Sequence, residues 1–252
     1  MIFYFSGTGN SKHVAECIVD SSGEKLIYIC KDNLDKKEKY HLTEHEKLGF
    51  IFPVYWYSMP TIVEEFIMNV TITGYKHQYV YGVATYGFAA GNVMNRLRMV
   101  LRRKQLLLKG VFGVRMVDNY VVGYNLIKVE EQKRILLNAE EEINKIHSMI
   151  NRQEVTEYIK KGSLSFATPI TSLAYKRANH TRKFYVTNAC NGCRSCAVNC
   201  PCNVIHMDDR IPKWDNNCTF CLKCINGCKQ AAIQYTKSTE RRNRYQYHGE
   251  RN

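Results

Sequence analysis

The chain has 252 residues, with 36 Lys and Arg against 23 Asp and Glu and a formal net charge of +13. That length holds one α/β domain of about 150 residues and a small second one, and no apolar run approaches the roughly 18 residues of a membrane span. Nine of the 11 cysteines fall after residue 189, so the thiols belong to one C-terminal module and are not spread as in a secreted disulfide scaffold.

The N-terminus reads MIFYFSGTGN, with no charged n-region and no apolar h-region, which predicts a cytoplasmic protein. Ile2 to Phe5 is a short β-forming run that leads at once into Ser6-Gly7-Thr8-Gly9-Asn10-Ser11. A helical pattern follows, with Val14, Ala15, Ile18 and Val19 on one face. A strand, a loop of small residues and a helix start together make a phosphate cradle: backbone N–H groups can approach, and the hydroxyls of Ser6, Thr8 and Ser11 can donate. The loop is neither G-x-G-x-x-G nor G-K-[ST].

Further strands are expected at Leu26 to Cys30, Leu48 to Val54, His77 to Thr85 and Val111 to Val117, the apolar runs of strands buried on both faces. Between them, Ile62, Val63, Phe66 and Ile67 give one helix face, and Val93, Leu97, Val100 and Leu101 another. Ile135, Leu136, Ala139, Ile143, Ile146 and Ile150 give a third, over residues 130 to 150. Strands alternating with helices predict an α/β fold with a parallel sheet.

The loop at residues 6 to 11, placed directly after the first strand, resembles the FMN-phosphate loop [ST]-G-T-G-[NT]-[ST] of flavodoxins. The resemblance implies a doubly wound five-stranded parallel sheet of order 2-1-3-4-5 over residues 1–150, with FMN at the C-terminal strand ends. By the same resemblance the cofactor-binding residues are Ser6, Gly7, Thr8, Gly9, Asn10 and Ser11, then Pro53, Val54, Tyr55, Trp56 and Tyr57, then Thr85, Tyr86 and Gly87. Trp56 or Tyr55, together with Tyr86, would stack on the isoalloxazine. Asn119-Tyr120 is a further candidate for closing the site. Residues 53 to 60 contain no glycine, so a positive-φ peptide in that loop would carry a cost.

Residues 151–183 read as a connector, packed in part through Leu164, Phe166 and Tyr175, with a turn at Thr168-Pro169. Residues 184–236 form a small module, with Phe184-Tyr185-Val186 and Ala231 to Tyr235 as short strands. Residues 237–252 read as a basic, polar and mobile tail.

Within the module, Cys190, Cys193, Cys196 and Cys200-Pro201 read C-x2-C-x2-C-x3-C-P. Cys218, Cys221, Cys224 and Cys228 repeat the spacing, with Lys229 in the proline position. Zinc ribbons pair two C-x2-C knuckles across a longer spacer and do not use this run of three. The pattern resembles bacterial two-cluster ferredoxins, a small α+β fold, in which the fourth cysteine of each run reaches the other cluster. The resemblance implies one [4Fe-4S] cluster on Cys190, Cys193, Cys196 and Cys228, and a second on Cys218, Cys221, Cys224 and Cys200. Cys202 has no slot in the pattern and reads as a small buried hydrophobe.

The whole arrangement resembles the flavodoxin-ferredoxin fusion proteins of anaerobic prokaryotes. It implies intracellular electron transfer through two [4Fe-4S] clusters and FMN, with no separate catalytic residues. A flavin-dependent reductase of a quinone, nitro or unsaturated carbonyl compound and a redox sensor are the alternatives. Expected partners are acidic redox proteins, a ferredoxin-type donor or a partner reductase, drawn to basic residues such as Arg96, Arg98, Arg102, Arg103, Lys104 and Lys109. No nucleic-acid-binding motif accompanies those charges.

Overall fold

In a computed structural model of the protein, the structure describes residues 1–19, 23–163, 171, 173–175, 177 and 180–247. The expectations for Leu164, Phe166 and the Thr168-Pro169 turn lie outside the described residues. Eight strands come from the N-terminal two thirds: β1 (Ile2–Tyr4), β2 (Leu26–Tyr28), β3 (Lys39–His41), β4 (Leu48–Pro53), β5 (Thr71–Thr73), β6 (Val80–Tyr86), β7 (Leu108–Arg115) and β8 (Glu157–Tyr158). They alternate with helices α1 (Asn10–Val19), α2 (Lys31–Asp35), α3 (Thr61–Asn69), α4 (Val93–Arg103) and α5 (Val129–Asn151).

The main sheet has six strands in the order β2-β1-β4-β6-β7-β8, and every pairing in it is parallel. The sheet is therefore six-stranded, not five-stranded. The added strand, β8, comes from the stretch read as a connector and pairs Val111 with Glu157 on the edge of β7. Its two residues alternate polar and aromatic and give no apolar run, which is why the pattern alone misses it. A separate parallel pair joins β3 to β5.

Along each central strand successive side chains enter opposite cores. Phe3, Phe50 and Ala84 join α3 and α4 on one face, whereas Ile2, Ile51 and Val83 join α1 and α5 on the other. Burial on both faces explains the apolar runs of β4 and β6, and the buried Ser11, Val14, Ala15 and Ile18 form the inward stripe of α1. Among the described residues no helix is long and apolar enough to cross a membrane.

The cysteine-rich module holds an antiparallel pair between Tyr185–Val186 and Ile233–Gln234. A second antiparallel hairpin, Ile205–Asp208 with Ile211–Trp214, was not anticipated from the pattern. The module shares its core with the sheet domain: Phe184, Phe220, Leu222, Ile225, Ile233 and Tyr235 cluster with Val117, Val121, Leu126 and Ile135.

The tail corrects the expectation of mobility. Lys237–Arg241 forms a 3₁₀ helix, Arg242 donates to the carbonyls of Val121 and Val122 at 2.7 and 2.6 Å, and Tyr245 is buried. Aromatic rings spaced among the charges supply the anchoring that a polar composition conceals. Residues 248–252 lie outside the described residues.

The basic stretch from Arg96 to Lys109, which runs from α4 into β7, is also tied down locally. Arg96 Nε donates to Glu64 at 3.0 Å, Arg98 to Asn95 at 2.7 Å, Lys104 to the Met68 carbonyl at 3.2 Å and Lys109 to the His77 carbonyl at 2.6 Å.

Candidate functional site

The turn after β1 holds its own shape through its side chains. Ser6 Oγ accepts from the Gly9 N–H at 3.1 Å, Asn10 Nδ2 donates to the Val117 carbonyl at 2.8 Å, and Ser11 Oγ lies 2.7 Å from Thr85 Oγ1. Asn119 Nδ2 donates to Thr8 Oγ1 at 2.9 Å. These contacts draw together the ends of β1, β6 and β7. Ser6, Gly7, Thr8, Asn10, Ser11, Pro53, Val54, Tyr55, Thr85, Tyr86 and Gly87 all line one small cavity there, with Met116, Val117, Asp118 and Asn119. Gly9 lies outside that lining, at φ +104°, with Tyr247 packed against its Cα.

A larger cavity of about 350 Å³ adjoins it and shares Val54, Tyr55, Tyr86, Gly87, Asp118 and Asn119. Trp56, Tyr57, Phe88, Tyr120 and Tyr124 complete an aromatic wall, with Trp56 edge-on to Tyr120 at 5.9 Å and Phe88 edge-on to Tyr124 at 6.0 Å. Asp118 is the one carboxylate in the described lining. It accepts from the Tyr120 N–H at 2.7 Å and the Tyr124 hydroxyl at 2.6 Å. Burial pushes up the phenol pKa values of Tyr55, Tyr86, Tyr120 and Tyr124, so these four hydroxyls are uncharged at neutral pH.

Residues 55 to 58 close a tight turn, with reciprocal Tyr55–Ser58 backbone hydrogen bonds of 2.9 and 2.8 Å. Trp56 and Tyr57 sit at φ +52° and +59°. The expected cost of a positive φ without glycine is therefore met by this loop twice, at about 1–2 kcal/mol for each residue.

The two cysteine runs adopt one conformation twice. Gly192, Arg194 and Asn203 have φ of +70°, +64° and +52°, and their counterparts Phe220, Leu222 and Ala231 have +56°, +57° and +48°. Each run continues into a single helical turn, Ser195–Val198 and Lys223–Asn226. Alternation of right- and left-handed residues turns successive N–H groups toward one side, the nest geometry that suits phosphate and iron-sulfur anions. One such amide, Phe220 N–H, donates to Cys218 Sγ at 3.3 Å.

Cys190, Cys193, Cys196 and Cys228 line one cavity of about 400 Å³, together with Cys224. Cys200, Cys218, Cys221 and Cys224 line a second, smaller one closed by Phe184, Val204 and Trp214. Cys224 lines both, so the eight candidate ligands surround two cavities that share one cysteine. Cys193 is exposed and Cys221 buried, so the first group faces outward and the second inward. Cys202 borders the second group, and burial pushes its thiol up, in keeping with a neutral packing residue. Lys229 lines the mouth of the first cavity.

Several residues of the site carry no signal in the sequence. Phe220 and Leu222, on either side of Cys221, line the aromatic cavity with Tyr175. The module is held there by Tyr175 Oη donating to the Thr219 carbonyl at 2.7 Å and by Lys31 N–H donating to the Pro201 carbonyl at 2.7 Å. A Cβ on Gly7 would lie 2.7 Å from the Cys221 carbonyl oxygen and 2.9 Å from the Tyr55 hydroxyl. That hydroxyl is buried with no hydrogen-bond partner among the described residues, an opening for a polar ligand beside the turn.

The tail straps the same turn. Tyr247 N–H donates to the Thr8 carbonyl at 2.7 Å and Tyr245 Oη to Asn10 Oδ1 at 2.7 Å. The Tyr247 ring stacks on His13 at 4.4 Å, and His13 Nε2 pairs with Glu140 at 2.7 Å. The signal was present as tyrosines in a charged tail, but nothing in their spacing says where they dock.

No protein-family model matches the chain, and no curated protein does. Among solved structures, the chain is similar to Trp repressor binding protein from Bacillus subtilis, at 15% identity over 60% of this chain and 99% of that one, TM-score 0.40. It is also similar to an NADH:FMN oxidoreductase in its apo form, at 15% identity over 60% and 87%, TM-score 0.38. The two-electron reduced flavodoxin of Megasphaera elsdenii aligns at 20% identity over 45% and 85%, TM-score 0.33.

Proposed function

We propose that this protein is an electron carrier that binds FMN and two [4Fe-4S] clusters and passes electrons between them and a protein partner. One observation carries the reading: Phe220 and Leu222, which flank Cys221, form a wall of the aromatic cavity lined by the loops after β4 and β6 and adjoining the small cavity at the turn after β1. A cluster on Cys200, Cys218, Cys221 and Cys224 would thus lie next to a flavin in that cavity. Clusters carry single electrons and a flavin one or two, so together they couple one-electron to two-electron chemistry.

The roles of the chain follow from its chemistry. The N–H groups at the start of α1 and the hydroxyls of Ser6, Thr8 and Ser11 would hold the FMN phosphate. The aromatic wall, with Trp56, Tyr86 and Tyr120, would enclose the ring and exclude water. The outward cluster, on Cys190, Cys193, Cys196 and Cys228, would exchange electrons with the partner. Arg194, Lys223 and Lys229 line its cavity and favour an acidic protein there over one on α4, whose cations are partly committed to local bonds.

A cavity of about 350 Å³ lies at the low end of the range for a single ligand, about 300–1,000 Å³. With the flavin in place it leaves little room for a second organic molecule, which favours a carrier over a small-molecule reductase. The test is to reduce the anaerobically purified protein and follow reoxidation by quinones, nitro compounds, enones and an oxidised acidic ferredoxin. Fast transfer to the ferredoxin and slow, non-saturating transfer to every small acceptor supports the carrier. Saturable turnover with one small acceptor replaces it with the reductase.

A further inference from the structure

The second cysteine group differs from the first in one respect that bears on electron flow. Trp214, at the end of the hairpin strand Ile211–Trp214, lines the smaller cavity beside Cys218, Cys221 and Cys224. Its ring is fixed by stacking on Phe184, with centroids 5.2 Å apart and planes 10° apart. The Nε1 atom is buried and has no hydrogen-bond partner among the described residues. An indole N–H can only donate, and a buried donor left unpaired is destabilising. The outward cavity has no tryptophan or tyrosine among its described lining residues.

Building on the two-cluster reading, we propose that Trp214 donates its indole N–H to a sulfur of the inner cluster and thereby raises the reduction potential of that cluster. A hydrogen bond to a cluster sulfur stabilises the reduced, more negative state and raises the potential. Its effect is large where water is excluded, as it is behind Phe184 and Val204. The inner cluster is the one beside the flavin cavity, so a raised potential there would favour electron transfer onto it from the exposed cluster.

The test is a redox titration of the anaerobic holoprotein followed by EPR, wild type against Trp214→Phe. Phe keeps the stacking on Phe184 and removes the donor. The expected result is a tenfold loss in the reduction equilibrium of one cluster, about 59 mV downward for one electron, with the other cluster and the FMN content unchanged. Two unmoved potentials, or an equal shift in both, would overturn the proposal.

Should the variant lose its clusters, wild-type protein labelled with indole-15N tryptophan gives the answer independently. The chain has two tryptophans, and Trp56 is exposed and lines the aromatic cavity but neither cysteine cavity. A 15N coupling to one reduced cluster supports Trp214 as the donor, and its absence refutes it. Wild-type protein with no iron-sulfur signal would instead overturn the two-cluster reading itself.

Discussion

Gly7 is where the two halves of the protein come closest. A methyl group there would press on the Cys221 carbonyl at 2.7 Å and on the Tyr55 hydroxyl at 2.9 Å, and a backbone carbonyl cannot swing aside as a side chain can. Gly7→Ala is expected to lower stability by about 1–3 kcal/mol, the range for overpacked sites, and to lower FMN content. Denaturant midpoints and flavin absorbance of the purified variant check both. Wild-type flavin content in Gly7→Ala would mean that the module does not dock on the turn as described.

Single residues also show the limits of the sequence at this scale. The SGTGNS turn and the eight cysteines were legible, because small residues after a strand and thiols at fixed intervals have few other uses. The left-handed Trp56 and Tyr57 were not, since a residue type that disfavours positive φ gives no warning of it. Asp118, which accepts two hydrogen bonds at the cavity wall, looked like any loop aspartate.

At the scale of elements, the tail is the least expected part. Residues 243–247 reach back across the module to Thr8 and Asn10, so the end of the chain braces its first loop. A chain ending at Arg242 keeps every candidate cluster ligand and loses the Tyr245 and Tyr247 contacts. About 1.4 kcal/mol from one or two buried hydrogen bonds corresponds to tenfold in affinity. FMN is therefore expected to bind about tenfold more weakly to the shortened chain. Equal affinities by fluorescence titration would show that the strap is decorative.

The elements that sequence located best were the strands and helices with strong periodicity: β4, β6 and the inward faces of α1, α3, α4 and α5. Those it missed are short or polar. Glu157–Tyr158 joins the sheet as an edge strand, and Lys39–His41 pairs with Thr71–Thr73, both decided by neighbours that lie far off in the chain. The 205–214 hairpin was hidden because its charged residues alternate out to solvent around a turn at Asp209 and Arg210, both at positive φ.

At the scale of the whole molecule, the sheet domain and the cysteine module are one packed unit. Val117 and Val121 at the sheet end share a core with Phe220, Ile225 and Ile233, so the candidate clusters and flavin cavity are held in fixed relation. On the proposed carrier reading, a partner would approach the outward cavity, with Arg194, Lys223 and Lys229 at its lining. Electron transfer from an acidic donor is expected to slow as ionic strength rises from 0.01 to about 0.15 M, where screening shortens from about 30 to 8 Å. Arg194→Glu with Lys229→Glu is expected to slow it further at low salt, whereas charge reversal at Arg102 and Arg103 on α4 leaves it near wild type. Stopped-flow rates across a salt series separate the two faces.

The central claim is that one chain holds a flavin against the inner of two iron-sulfur clusters. The most direct measurement is the content of FMN, iron and sulfide in anaerobically purified protein, followed by EPR of the fully and partly reduced states. One FMN and two tetranuclear clusters per chain are expected, with a flavin radical whose relaxation is speeded by a nearby reduced cluster. Protein that purifies with clusters and no affinity for FMN, or a flavin radical indifferent to cluster reduction, would contradict it.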